Sequence, residues 1–161
     1  MLASAVVLGV AAGRAFGGHL ARLGDLRLRW WPLLAVAVAL RAAAPALGEP
    51  LAAWVVAFGL IVAVALANRR LPGMWPIGVG ALLNVIVVLA NGAMPVDPAA
   101  AVSAGAEIRA DGLHRAMRDG DALTALADLI PAPVIANVYS AGDVLLALGG
   151  FWVPFSWMRR R

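Results

Sequence analysis

Four polar side chains stand inside or at the edge of otherwise apolar stretches: Arg41, Asn84, Asn91 and Asp143. Groups of this kind are costly in apolar surroundings unless they meet one another, so they mark where a site is to be sought. A guanidinium, a carboxylate and two amides can bind a polar ligand, or they can fasten helices together. Gly80, Asn84, Val87 and Asn91 follow i, i+4, i+7, i+11 spacing and share one helical face. That face is expected to meet other helices, where its amides find partners. Asp143 follows Ser140 at capping-box spacing, so Ser140 is expected to begin a helix whose third residue reaches back to it. Arg41 stands about 10 Å inside its apolar run at 1.5 Å per residue. It either snorkels to the interface or turns inward to pair with Asp143.

These residues need elements to hold them, and the composition says which. Hydrophobic residues make up 63% of the 161-residue chain and charged residues 14%, and mean hydropathy is +0.87. A soluble domain has about 45–50% and 25%. The expected fold class is all-α, an integral membrane bundle of five transmembrane helices forming a single domain, with one long extracytoplasmic loop containing short helices. The chain has no cysteine, which excludes disulfides, thiolate metal sites and cysteine nucleophiles. His114 has no second histidine at ligand spacing, so it reads as a solvated loop residue, and neither a metal nor a cofactor is expected. The net charge of +4 does not point to nucleic acid, because most of the arginines flank hydrophobic segments. The expected partners are the lipid bilayer and other membrane proteins.

Taken in order, the apolar runs place spans near 2–18, 30–47, 51–67, 74–91 and 141–158, with the outer loop at 92–140. The first lacks a basic stretch before it and reads as a span rather than a signal peptide. Its Ala5, Gly9, Gly13 and Gly17 recur every four residues, a small face that lets another helix approach closely. Trp30 and Trp31 stand at interface depth before the second span. Asn91-Gly92 ends the fourth span, and Met94-Pro95-Val96 leaves it extended. Within the loop, 98–108 and 112–117 are candidate short helices. The stretch 121–130 is a better one, with Asp121 as its N-cap and Leu123, Leu126, Leu129 and Ile130 on one side.

Charge orients the chain. With the first loop inside, Arg22, Arg27, Arg29, Arg69, Arg70 and the terminal Arg159, Arg160 and Arg161 all lie in the cytoplasm against one acid, Asp25. The acidic loop then falls outside with Glu49; its acids are Asp97, Glu107, Asp111, Asp119, Asp121 and Asp128, and its bases Arg109, Arg115 and Arg118. This gives five crossings with the N-terminus out and the C-terminus in. Arg41, Asn91 and Asp143 then share the outer leaflet, where an Arg41–Asp143 pair is expected directly or through Asn91.

The segments RLPG at 70–73, LLN at 82–84, NGAMPV at 91–96 and YSAGDVLLALG at 139–149 resemble a bacterial family of small membrane proteins catalogued as a domain of unknown function. GGHLARLGDLRLRWW at 17–31 is similar to that family's amino-terminal region. The resemblance implies a multi-spanning protein of the bacterial cytoplasmic membrane and supplies no activity. YSAGDVLLALG also resembles the last motif of lipoprotein signal peptidases, intramembrane aspartyl proteases whose two carboxylates share a proton and activate water. That likeness matches Asp143 to one catalytic aspartate. Ala141 stands where the motif has asparagine, and the family's first motif has no counterpart. Asp128 or Asp97 supplies the second carboxylate only if the loop folds back. The leading expectation is therefore a non-enzymatic accessory or binding component with a polar outer site. An aspartyl-type hydrolase and a small lipid or solute carrier are the alternatives, the carrier disfavoured because no inverted repeat is visible.

The charge count predicts that reporter fusions after Arg70 and after Arg161 both read as cytoplasmic. A periplasmic signal at Arg161 overturns the five-crossing topology in favour of a re-entrant last segment.

Overall fold

The computed structural model describes residues 1–48, 50–108 and 111–160. Glu49, Arg109 and Arg161, counted above among the flanking charges, lie outside the described residues. The chain is mostly helical. Five of its helices occupy the five apolar runs: α1 (Leu2–Ala15), α2 (Pro32–Leu47), α3 (Pro50–Ala67), α4 (Met74–Asn91) and, after a shorter α5 (Pro98–Ala104), α6 (Ala141–Met158). Gly92 closes α4 at φ 70°, the left-handed conformation that only glycine adopts without strain. Three helices, α3, α4 and α6, have 18 residues each and are long and apolar enough to cross a membrane. The apolar α1 is shorter at 14 residues. It stops at Ala15 because Phe16, Gly17 and Gly18 turn the chain.

The long helices pack side by side in the order α1–α6–α4–α3–α2, so α6 has α1 on one flank and α4 on the other. Ala5, Gly9 and Gly13 are buried along α1. A methyl at Gly9 would meet the Phe151 carbonyl and lie 2.9 Å from Pro154, and one at Gly13 would lie 3.4 Å from the Phe155 backbone. The expected small face is therefore the α1–α6 contact, with one change. Gly17 lies beyond the helix end, exposed, at φ 82° with nothing near it, and Gly18 takes its place against Met158. Away from these contacts the helices present bare apolar side chains, among them Val7, Leu8, Val38, Leu89 and Trp152. Patches of that kind are not sustained in water but suit hydrocarbon. At the end of the bundle that holds the first connection, Asn68 bonds both the amide and the carbonyl of Arg29 at 2.9 Å. Arg22 donates to the carbonyls of Met158 and Arg160 and accepts from the Trp157 indole at 2.8 Å, which ties the first connection to the end of α6.

The segment between α4 and α6 departs from the expected run of short helices. α5 is helical because Asp97 caps it through the amides of Ala99 and Ala100 and Pro98 opens it. The stretch 112–117 instead contains a strand, β2 (His114–Ala116), which pairs in parallel with β1 (Met94–Val96). Pro95 is tolerated there because the pairing bonds come from the flanking amides of Met94, to Leu113, and Asp97, to Asp128. The 121–130 helix does not form. Asp121 turns its carboxylate to Arg115 and to the Arg118 amide rather than capping, and Leu123 sits at φ 54°, outside the right-handed helical region. A single tight turn at Thr124–Leu126 remains. The chain then enters an antiparallel pair, β3 (Ile130–Ala132) with β4 (Asn137–Tyr139), and β4 runs through Ser140 straight into α6. Trp54, Val87, Val88, Met94 and Leu113 form one buried cluster that joins α3 and α4 to β1 and the β2 approach.

Gly9→Leu should lower the melting temperature in detergent by several degrees, since overpacking a closed contact costs about 1–3 kcal/mol. Gly24→Leu, where an added side chain meets open space, should be near neutral. Equal effects would show that α1 does not depend on the close approach to α6.

Candidate functional site: an acidic pocket over the start of α6

The site begins where α4 and α6 touch. Gly80 of α4 and Gly142 of α6 bring the two backbones so close that a methyl at either would strike the other helix or the Asn84 amide. In that gap Asn84, only 1% exposed, donates from Nδ2 to Asp143 Oδ1 at 3.0 Å and accepts at Oδ1 from the Ser140 hydroxyl at 2.9 Å. The expected capping box is present. The Asp143 amide donates to Ser140 Oγ at 3.0 Å, and the Ser140 amide donates to Asp143 Oδ2 at 3.2 Å. Each oxygen of Asp143 thus has a donor, and one face of its carboxyl is turned toward the loop.

The loop folds back over this end of α6. Asp128 is stitched to β1 by its amide, which donates to the Pro95 carbonyl at 3.0 Å, and by its carbonyl, which accepts from Asp97 at 2.9 Å. The Asp128 side chain is 5% exposed, and its Oδ1 has no hydrogen-bond partner among the described residues. Burial first, and the negative charge of Asp143 second, push its carboxyl up to about 8. Asp128, Asp143, Glu107, Asp111, His114 and Tyr139 line a cavity of about 640 Å³ whose apolar wall includes Val96, Ala101 and Val138. That volume falls within the range of about 300–1,000 Å³ typical of ligand pockets.

Of the residues singled out by sequence, Asn84, Asp143 and Asp128 come together here. Asn91 does not join them. Its amide donates to the Val87 and Ala122 carbonyls and accepts from the Ala122 amide, each at 2.8–2.9 Å, and its backbone carbonyl accepts from Arg115 at 3.3 Å. It anchors the loop to the end of α4. Arg41 lies exposed on α2, and no Arg41–Asp143 ion pair forms, because α3 and α4 stand between α2 and α6. Asp97, the other candidate for a second carboxylate, is spent as the α5 cap. His114 keeps a solvated side chain, 37% exposed, but stands on a strand rather than in a loop. It sits on β2 with its ring nitrogen 3.1 Å from Asp111, facing the cavity. The described residues hold no cluster of three or more side chains suited to a metal. Sequence reasoning passed over Ser140 as more than a cap and Tyr139 altogether. The only signal for either was adjacency to Asp143.

A second charged clasp shapes the loop. Arg115 binds Asp121 through both guanidinium nitrogens, at 2.6 and 2.8 Å. The Arg115 hydrogen bonds, with one from the Arg118 amide, hold the Asp121 carboxyl down at about 2. The two carboxyls bend stability in opposite directions. Asp121, depressed in the fold, contributes stability that is present above about pH 4 and lost as pH falls toward 2. Asp128, raised in the fold, contributes stability that is present below about pH 4 and lost as pH rises toward 8. Thermal stability measured across pH should therefore fall between about pH 4 and pH 8 in the native chain and fall less in Asp128→Asn. An identical slope in both would show that Asp128 is not the group responsible.

No curated protein and no solved structure matches this chain. Residues 25–155 match a family of unknown function, DUF5317, an interval that contains α2 to α5, the whole segment between α4 and α6 and all but the last turn of α6. The chain belongs to the DUF5317 family of unknown function.

Proposed function

We propose that this chain is a five-crossing protein of the bacterial cytoplasmic membrane, N-terminus out and C-terminus in, that binds a small ligand in the acidic cavity at its outer face. The supporting observation is the buried, unpartnered Asp128 oxygen on a 640 Å³ cavity shared with Asp143. A buried carboxyl without a partner destabilises the fold, and a ligand that satisfies it offsets that cost. The binding surface is assembled from the outer ends of α4 and α6 and the loop, so it faces the outside in the proposed topology. The bilayer is the constant partner, other membrane proteins are candidate ones, and nucleic acid is not. α1 and α2 cross as shorter helices, through local thinning of the bilayer at the edges of the row.

The same two carboxyls favour a second reading, an aspartyl-type hydrolase. Two carboxyls in unlike surroundings, Asp128 buried with a bare oxygen and Asp143 hydrogen-bonded at both oxygens, suit separate acid and base roles. Asp143 would take a proton from water as the hydroxide adds to an amide carbonyl. Asp128 would give its proton to that carbonyl oxygen. Collapse would return a proton to the departing nitrogen and break the C–N bond.

Native mass spectrometry of the full chain released from bacterial membranes separates these readings. A small molecule bound to the native chain, absent from the cavity-filling Ala106→Trp and retained by the outward-facing Leu89→Ala, is the expected result for a binding component. A molecule retained only by Asp128→Asn would instead indicate turnover. Identical spectra for the native chain and Ala106→Trp would remove the cavity from both.

A further inference from the structure

We infer that the ligand of the outer cavity carries an aliphatic ammonium or guanidinium group, seated between the carboxyls of Asp128 and Asp143. This rests on the cavity being a binding site, and it specifies the chemistry of the occupant.

Among the described residues, the charge on the cavity wall is lopsided. The described lining residues bring carboxyls from α6 (Asp143), from the loop before β3 (Asp128) and from the link between α5 and β2 (Glu107 and Asp111), with no arginine among them. Among the described residues, the other titratable groups on the cavity are Tyr139 of β4 and His114 of β2. His114 is turned to Asp111, whose oxygens also accept from the amides of Leu113 and His114. Arg115, next along β2, is held by Asp121 and by the Asn91 carbonyl. Protein donors therefore satisfy Asp111 and Asp143 and leave Asp128 Oδ1 bare at 5% exposure.

Burial and the neighbouring carboxylate both favour the neutral form of Asp128. A cation placed between the two supplies what both lack, a donor for Asp128 and an opposite charge for the pair. An anion or a carboxylate-bearing ligand meets repulsion from the same groups. The apolar wall of Val96, Ala101, Ile108 and Val138 gives an aliphatic stem something to lie against while its head reaches the acids. Because Asp128 passes from neutral to ionised as the cation arrives, binding near pH 7 expels a proton from the protein.

The test uses the full chain in nanodiscs of phosphatidylglycerol, which has no amine. Calorimetric titration with n-butylamine, butylguanidine, n-butanol and butyrate, in buffers of different ionisation enthalpy, reads affinity and proton count together. The two cations should bind about tenfold or more tightly than butanol or butyrate, and should release up to about one proton. Asp128→Asn, nearly the same shape, should lose about tenfold in butylamine affinity and abolish the proton release. If nanodiscs containing phosphatidylethanolamine compete with butylamine, the natural ammonium is a lipid headgroup; if they do not, it is a soluble amine. Butanol or butyrate binding as well as butylamine overturns the cation while leaving the cavity as a binding site. If none of the four binds and the native chain carries no co-purified molecule, the binding-site reading falls as well.

Discussion

The half of this protein that carries the cavity depends on the contact between α4 and α6 at Gly80, Asn84 and Gly142. Glycine on both helices lets the backbones approach until one amide side chain fills the remaining space. That amide donates to Asp143 and accepts from Ser140, so the first turn of α6 is capped by its own residues and clamped by its neighbour at once. A buried network of this kind is stable only when every member is satisfied. It fixes the direction in which Asp143 points, and with it the floor of the cavity. The start of α6 also fixes β4, which leads directly into it, and β4 holds β3.

The loop is organised by backbone bonding rather than by an independent core. β1 lies between β2 on one side and Asp128 on the other, so one buried three-residue segment collects two distant parts of the loop. Two side-chain clasps hold the rest: Asn91 grips Ala122, and Arg115 grips Asp121 while reaching back to Asn91. The result brings Asp128 over Asp143 although 15 residues and a strand pair separate them in the chain. The carboxyl that matters most is thus placed by main-chain hydrogen bonds at its own residue, which leaves its side chain free to face the cavity.

The row order of the helices explains why polar residues that look equivalent along the chain have different environments. α6 is flanked on both sides, and its small residues Gly142, Gly149 and Gly150 are buried where neighbours approach. α2 stands at the end of the row with α3 as its main neighbour, so Arg41 keeps an open side. The guanidinium of Arg41 is accordingly exposed and makes no ion pair with Asp143. Depth alone put Arg41 beside Asp143; lateral order, which depth does not contain, separates them.

Much of the architecture was written in the sequence because it depends on local physics. The apolar runs marked the five long helices, since run length and composition are properties of consecutive residues. Asn91-Gly92 and the serine-to-aspartate spacing marked the end of α4 and the start of α6, since caps are local too. The shared face of Gly80, Asn84 and Val87 followed from helical periodicity, and all three are buried. The small face of α1 was legible as far as Gly13 and failed at Gly17, where the helix had already ended. Only the tertiary structure decided the loop. Its short segments carry helical and extended preferences of similar weight, and pairing with β1, the Asp121–Arg115 clasp and the left-handed Leu123 outweighed the helix pattern at 121–130. The choice of Asp128 over Asp97 as the second carboxylate was likewise not local. Asp97 was taken by its own helix cap, and Asp128 reached the cavity through hydrogen bonds to a strand some thirty residues earlier.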